Sequence, residues 1–232
     1  MKKQDLLAVL LFGGVFVGII LLMNIPLSDG NTFNQDYGLV MSFIKFAVLA
    51  TLGECIGLRI SQGVYNRKGF GIVPRAIVWG VLGLGMYFAF QIYPAGVIGL
   101  LNNLGCENCG EIFVSPYLSP GKLGIAFLIS VVMNVTFGPV FMTLHKITDT
   151  HILSHGGKLK GFFTPIKFKE IITHLDWGVQ WSFVFKRTIP LFWFPAHTIS
   201  FLLPGDYRIL FAALLGVVLG IILSIANLKK SK

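Results

Sequence analysis

Residues 6–25 read LLAVLLFGGVFVGIILLMNI and contain no charged side chain. A helix of this length extends over about 30 Å, which matches the hydrocarbon core of a lipid bilayer. A cleaved signal peptide differs from this pattern, because its apolar core is only about 7 to 15 residues long and a small-residue cleavage site follows it. We therefore predict that the segment is kept as a membrane-spanning helix.

The composition of the whole chain agrees with this prediction. Of the 232 residues, 54% are hydrophobic and 12% are charged, and the mean hydropathy is +0.76. Soluble domains usually carry about 25% charged residues. Apolar segments follow one another without a polar block between them, which predicts one membrane domain over residues 1–232. The short alternating segments of a membrane β-barrel are missing, so the predicted fold class is all-α, a polytopic bundle of transmembrane helices.

Six apolar segments are candidates for membrane crossings, and the fifth is clearly the shortest. They cover residues 6–25, 39–60, 76–101, 123–144, 189–203 and 209–228. Before the fifth of them, residues 168–187 place apolar and polar side chains on different faces at helical spacing, with Trp177 and Trp181 among them. This pattern predicts an amphipathic helix that lies in the membrane interface.

The distribution of basic residues predicts the orientation. With the amino terminus in the cytoplasm, 16 of the 19 Lys and Arg residues lie on the cytoplasmic side or next to it. The positive-inside rule then predicts six crossings with both termini cytoplasmic. The net charge of +9 follows from this topology and from the anionic inner leaflet, so the expected partner is the lipid bilayer and no nucleic acid is implied.

Two glycine pairs predict close helix packing. Gly14-x-x-x-Gly18 and Gly216-x-x-x-Gly220 each form a small face on which another helix backbone can approach. We expect contacts within the chain from these pairs, and a homo-oligomer is the alternative.

The segment around residues 134–155 is the most polar part of any predicted span. Asn134, Gly138, His145 and Asp149 recur at a spacing that places them on one stripe of a helix. Pro139 lacks an N–H group and bends the helix, which frees a backbone carbonyl that lipid cannot satisfy. We predict that this stripe lines a cavity.

Three ionisable residues fall inside other predicted spans. They are Lys45, Glu54 and His197. Such residues usually face a cavity or a partner. Lys45 and Glu54 are separated by ~13.5 Å along the helix and by about half a turn around it, so each needs a partner on another helix. A local contact of Glu54 with Arg59 is the alternative.

A metal or redox enzyme is a further alternative. His145, His151 and His155 include pairs at a spacing that allows two ligands on one face of a helix, but the additional ligands of a metal centre are missing nearby. Cys106 and Cys109 fall in a predicted external loop, where they can form a disulfide or an exposed thiol pair. We expect no catalytic residue, no metal and no cofactor.

Several motifs resemble those of the Mpv-type peroxisomal and mitochondrial integral membrane protein family. Gly138-Pro139, followed by Lys146 and Asp149, resembles the Gly-Pro segment of that family with its lysine and aspartate. The matches elsewhere in this sequence are Gly53 with Glu54, where the family has Gly-Asp, and Pro204, Tyr207 and Arg208, where it has Pro-x-x-Tyr-Arg. The resemblance implies a divergent prokaryotic member, located in the plasma membrane, with a four-helix core extended to six spans and a channel-like role.

The sequence therefore predicts a channel or carrier for a small polar solute whose identity remains open. Its pathway would be lined by seven residues, namely Glu54, Asn134, Gly138, Pro139, His145, Asp149 and His197. The alternatives are the six-span substrate-binding subunit of a vitamin-uptake transporter, the redox or metal enzyme above, and a scaffold without transport.

Overall fold

The computed structural model describes residues 3–230, and the side chains of residues 3–225. The predicted cytoplasmic termini themselves, residues 1–2 and 231–232, lie outside the described residues. Within residues 3–230 the chain forms helices and connecting loops without a β-sheet. The predicted all-α fold class is therefore confirmed.

The helices follow one another through short connections, and one of them has π-helical hydrogen bonding. Their bounds are α1 Lys3–Met23, α2 Phe33–Asp36, α3 Gly38–Gln62, α4 Ile72–Asn103, α5 Cys109–Val114, α6 Pro120–Thr136, α7 Gly138–Ser154, α8 Leu159–Phe162, α9 Phe168–His174, α10 Trp177–Val179, the π-helix Gln180–Trp193, α11 Phe194–Leu202 and α12 Gly205–Lys230.

Four helices in the described part of the chain, α1, α3, α4 and α12, are long and apolar enough to cross a membrane. The pair α6 and α7, bent by 46° at Phe137, would be a fifth crossing. The fifth predicted span, residues 189–203, is not among them, because α11 has nine residues and a helix of that length extends over only ~13.5 Å. The apolar helices thus suggest a membrane-embedded protein with four or five candidate spans, where the sequence predicted six.

The segment over residues 168–187, predicted as one interfacial helix, belongs to two separate helical stretches. Helix α9 ends at His174, and Leu175 is extended. The Asp176 carboxylate then caps the next helix by accepting a hydrogen bond from the Val179 N–H at 2.9 Å, a position that aspartate favours. From Trp177 the chain stays helical through the π-helix to Leu202. The second half of the predicted interfacial helix therefore continues into the bundle.

Close backbone contacts hold α3 between α4 and α12. A Cβ atom on Gly83 would lie 2.8 Å from the Ser42 carbonyl oxygen, and a Cβ on Gly53 would lie 2.8 Å from the Val217 Cα. Of the predicted glycine pairs, only Gly220 makes a close contact in the described residues, since a Cβ atom there would lie 3.5 Å from the Gly53 carbonyl oxygen. A Cβ atom on Gly14, Gly18 or Gly216 would meet no other helix within 4 Å. Helix α1 is therefore a peripheral helix.

The two ends of the bundle differ, and we name them by their loops. At the glycine-loop end, residues 63–71 pack against residues 155–158 through glycines with positive φ. The start of α1 lies at this end, where Asp5 pairs with Arg59, and so does the end of α12, where Ser224 contacts Gly57. The disulfide end holds residues 24–37, 104–119 and 203–204, including the Cys106–Cys109 disulfide.

Candidate functional site

A partly open cavity of about 280 Å³ lies between α3, α4, α6, α7, the π-helix, α11 and α12. Five of the seven residues predicted to line a pathway line this cavity, namely Glu54, Asn134, Gly138, His145 and His197. Pro139 does not line the cavity; it is the second residue of α7, a position whose N–H has no partner within a helix, so a proline fits there. Asp149 does not line the cavity either and lies behind Glu54 and His145. Residues from well-separated parts of the sequence therefore meet in one space.

Glu54 forms the charged end of the cavity. One carboxylate oxygen accepts hydrogen bonds from Trp79 Nε1 at 2.9 Å and faces His145 Nε2 at 3.3 Å. The other oxygen accepts a hydrogen bond from Arg75. The Trp79 ring lies over the His145 ring with centroids 4.3 Å apart. Glu54 thus finds its partners on other helices, while Arg59 pairs with Asp5 instead.

Arg75 closes the cavity towards the glycine-loop end. Its buried guanidinium forms ion pairs with both Glu54 and Asp149, donates to the Phe70 carbonyl at 2.8 Å, and lies 4.5 Å from the Phe70 ring centroid. The sequence reasoning counted Arg75 only as a cytoplasmic loop cation. The signal for its role is the spacing to Trp79, which places both side chains on one face at the start of α4.

Asn134 and His197 form a second polar group in the cavity wall. The Asn134 amide donates to the Ser130 carbonyl at 2.8 Å, and the Ser130 hydroxyl donates to the Phe194 carbonyl. All groups of Asn134 are satisfied if its Nδ2 also donates to the Ser130 hydroxyl at 3.3 Å and its Oδ1 accepts from His197 Nδ1 at 3.2 Å. Asn134 Nδ2 also lies 3.0 Å from His197 Nδ1, so the network fits His197 with its proton on either ring nitrogen.

Two polar atoms at this second group have no partner. His197 Nε2 and Trp193 Nε1 are buried and make no hydrogen bond within the described residues. Both residues line the cavity, and their rings are stacked with centroids 4.9 Å apart. Two unpaired ring nitrogens are therefore available near each other, and buried groups of this kind are normally satisfied by water or a ligand.

The rest of the cavity wall is apolar, with many aromatic and methionine side chains. It includes Phe46, Met86, Met133, Phe137, Phe141 and Met142. Methionine adapts its shape to irregular ligands, and aromatic rings offer flat contact surfaces. The wall therefore suits a ligand that has an apolar body.

Aromatic rings close the cavity towards the disulfide end. Phe90 meets the His197 ring edge-on at 5.7 Å and stacks on Phe201 at 4.8 Å. Phe90 also lines a second, polar cleft that opens at the disulfide end and contains Lys45. Lys45 donates to the Asn34 side-chain oxygen at 2.5 Å, so its partner, like that of Glu54, comes from outside its own helix.

The histidines and cysteines of the enzyme alternative are dispersed. His145 lies in the cavity, whereas His151 and His155 stack on each other at the end of α7. Among the described residues, no group of three His, Cys, Asp or Glu side chains is arranged to hold a metal ion. Cys106 and Cys109 form a disulfide, while the free Cys55 packs with Leu58 and Phe70 towards the glycine-loop end.

The residues that match the Mpv-type motifs lie in different parts of the structure. Gly53, Glu54, Gly138 and Asp149 lie around the cavity or its closure. Pro139 follows Gly138 in α7, and Lys146 is exposed on the same helix. Pro204, Tyr207 and Arg208 lie at the disulfide end.

Comparison of the chain with protein-family models, with curated proteins and with solved structures gives no match. Its function must therefore be inferred from the geometry of the cavity itself.

Proposed function

We propose that this protein is a membrane carrier for a small solute with polar groups and an apolar body, and that the central cavity is its binding site. The convergence of Glu54, Asn134, Gly138, His145 and His197 on one cavity is the observation that carries the proposal. Ionisable and amide side chains inside apolar helices are costly, and their grouping around one space is typical of a solute pathway.

The dimensions of the cavity favour a small solute. A volume of about 280 Å³ falls just below the usual range for drug-sized ligands. The unpaired His197 Nε2 and Trp193 Nε1 would form hydrogen bonds with one end of the solute. Glu54 and His145 would meet the other end, with the apolar wall between them.

The closures at both ends favour a carrier over an open channel. Arg75 with its two carboxylates closes one end, and Phe90 with Phe201 closes the other. A carrier of this kind would open the two closures in turn around a fixed binding site. An open pore would need a continuous polar route, which the aromatic closure interrupts.

We further propose that the chain crosses the membrane six times with the glycine-loop end in the cytoplasm. The continuous helix over residues 177–202 would supply the fifth crossing, in which π-helical turns and Pro190 are accommodated by protein neighbours. The basic residues at the glycine-loop end support this orientation. From the motifs described above, we also propose that the protein is related to the Mpv-type family and is located in the plasma membrane.

Flux through proteoliposomes tests the proposal. We would measure the uptake of urea, glycerol and nicotinamide, three uncharged solutes that differ in size and in apolar surface. At least one is expected to permeate faster than through empty liposomes. Glu54→Gln and His145→Ala are expected to lower that rate about tenfold, the effect of losing one hydrogen bond to a charged group.

Matched controls separate the cavity from the surface. Glu111→Gln and His174→Ala make the same changes at exposed positions and should leave the rate unchanged. Equal rates in the cavity variants and the wild type, or no protein-dependent flux for any of the three solutes, would argue against the carrier.

The substrate-binding subunit of an uptake transporter is the second candidate, and the aromatic lining of the cavity favours it. Such a subunit binds its ligand alone but transports it only with an energising partner. Trp79 and Trp193 line the cavity, so their fluorescence reports binding once Trp177 and Trp181 are replaced by Phe. A fluorescence change without flux would favour this candidate over the carrier.

A further inference from the structure

A cleft of about 280 Å³ at the disulfide end lies between α2, α3, α4 and the start of α12. We call it the basic cleft. Its charged lining residues are Lys45, Asp206 and Arg208, and amide side chains of Asn34, Gln35 and Gln91 surround them. The basic cleft is separate from the central cavity, because the Phe90 ring lies between Lys45 and His197.

Lys45 is buried in this cleft, and among the described residues no carboxylate contacts it directly. Only 1% of its surface is exposed. Its ammonium donates to the Asn34 oxygen at 2.5 Å, and in the described part of the chain no carboxylate oxygen lies within 4 Å of it. An ammonium group carries three donors. A buried cation with so few partners is costly unless another group neutralises it.

Arg208 is the second cation of the cleft. Its Nε donates to the Leu203 carbonyl at 2.9 Å, and its guanidinium lies 5.0 Å from the Phe113 ring centroid. Within residues 3–225, its terminal nitrogens make no ion pair and no hydrogen bond. These donors have the planar geometry that binds carboxylates and phosphates through two parallel hydrogen bonds.

The one carboxylate in the cleft is already engaged by neutral groups. Asp206 accepts hydrogen bonds from Asn34 Nδ2 at 3.3 Å and from Gln35 Nε2 at 3.2 Å. With two cations and one carboxylate, the lining carries one excess positive charge. A cleft with charge of one sign and low-dielectric walls concentrates counter-ions of the opposite sign.

We propose that the basic cleft is a binding site for a small oxyanion, a carboxylate or phosphate group, held between the Lys45 ammonium and the Arg208 guanidinium. The site is distinct from the proposed carrier cavity and would exist whether or not the protein transports a solute. The same phosphate chemistry is present in a free anion and in the headgroup of an anionic lipid, so the experiment has to distinguish these sources.

Equilibrium dialysis of the full-length protein in phosphatidylcholine nanodiscs, with radiolabelled inorganic phosphate in chloride buffer at constant ionic strength, tests the site. We expect saturable binding of one phosphate per chain. Lys45→Met and Arg208→Gln should each weaken it at least about tenfold, because each removes charge-assisted hydrogen bonds. Lys122→Met is the matched control, since Lys122 is also a buried lysine at the disulfide end but donates to the Ser115 carbonyl and does not line the cleft.

Repeating the dialysis in phosphatidylglycerol nanodiscs identifies the source of the anion. Phosphate binding that is at least about tenfold weaker there would assign the site to a lipid headgroup, and unchanged binding would assign it to a free anion. No saturable phosphate binding in phosphatidylcholine nanodiscs would overturn the proposal. Equal affinities in the wild type and in Arg208→Gln would also overturn it, and this variant keeps the test valid if Lys45→Met does not fold.

Discussion

The two ends of the bundle bury charge in opposite ways. At the glycine-loop end, one guanidinium, Arg75, is held by two carboxylates, Glu54 and Asp149. At the disulfide end, Lys45 and Arg208 line a cleft with one carboxylate, Asp206. That carboxylate already accepts hydrogen bonds from two amide side chains. The first cluster satisfies its cation with groups of the chain itself, whereas the second leaves its cations able to bind something else.

This difference indicates separate roles for the two clusters. A buried ion pair contributes little net stability, but removing one member leaves an uncompensated charge and is costly. The Arg75 cluster therefore acts as a closure that depends on all of its members. The basic cleft is already unbalanced, so removing one of its cations should cost the fold little and should affect binding instead.

The replacement Arg75→Met should break the first cluster and have the largest effect on stability. It leaves the Glu54 and Asp149 carboxylates near each other without a cation, which should cost about 3 kcal/mol or more in the free energy of unfolding. Unfolding by SDS titration in mild detergent measures the change. Arg59→Met is the control, because its ion pair with Asp5 lies near the surface, and we expect about 1 kcal/mol or less there.

Adding Glu54→Gln to Arg75→Met should recover part of the loss, since one of the two stranded carboxylates becomes neutral. A double variant no more stable than Arg75→Met alone would contradict the closure described here.

Disruption of the backbone contact at the glycine-loop end should have the next largest effect on the free energy of unfolding. Gly157 has φ +67°, and a Cβ atom there would lie 2.6 Å from the Gly71 nitrogen. Gly157→Ala should therefore cost about 2 kcal/mol, since it combines the strain of a positive φ with a steric clash. Gly105→Ala at the disulfide end, with φ +97° and nothing within 4 Å, isolates the strain alone. Similar losses in the two variants would show that the loop contact contributes nothing.

The smallest effect is expected for Lys45→Met. Because this change removes an excess charge from the cleft, the free energy of unfolding should stay within about 1 kcal/mol of the wild type, in contrast to Arg75→Met. The same SDS titration measures it. A loss as large as that of Arg75→Met would mean that Lys45 is a structural cation, and the contrast between the two ends would fail.

Much of the helical architecture was predictable from the sequence, because long apolar segments leave the backbone few alternatives in a membrane. The segments at residues 6–25, 39–60, 76–101 and 209–228 correspond to α1, α3, α4 and α12. The helix over residues 177–202 was divided differently, because its more polar first half was assigned to an interfacial helix and its apolar second half to a membrane span. The bend at Phe137 was expected near Pro139 from the proline itself.

The candidate site was only partly visible in the sequence. The spacing of Asn134 and His145 predicted a shared face, and both line the cavity. Arg75, Trp79 and Trp193 were missed, because a basic residue at a helix start and tryptophans near a membrane surface have common explanations in topology. Which helices meet around a cavity depends on tertiary packing, and periodicity within one helix carries no information about that.

The central claim is that a solute can reach the cavity between the helices. Two neighbouring alanines of α12 test it most directly, because both are buried but only Ala212 lines the cavity. Each would be replaced by Cys in a Cys55→Ala background, and the protein in nanodiscs would be treated with 2-sulfonatoethyl methanethiosulfonate, which does not cross lipid. We predict that Ala212→Cys reacts at least about tenfold faster than Ala213→Cys, because the cavity opens to the reagent more often than the neighbouring core does. Equal reaction rates of the two cysteine variants would contradict the proposal that the protein is a carrier.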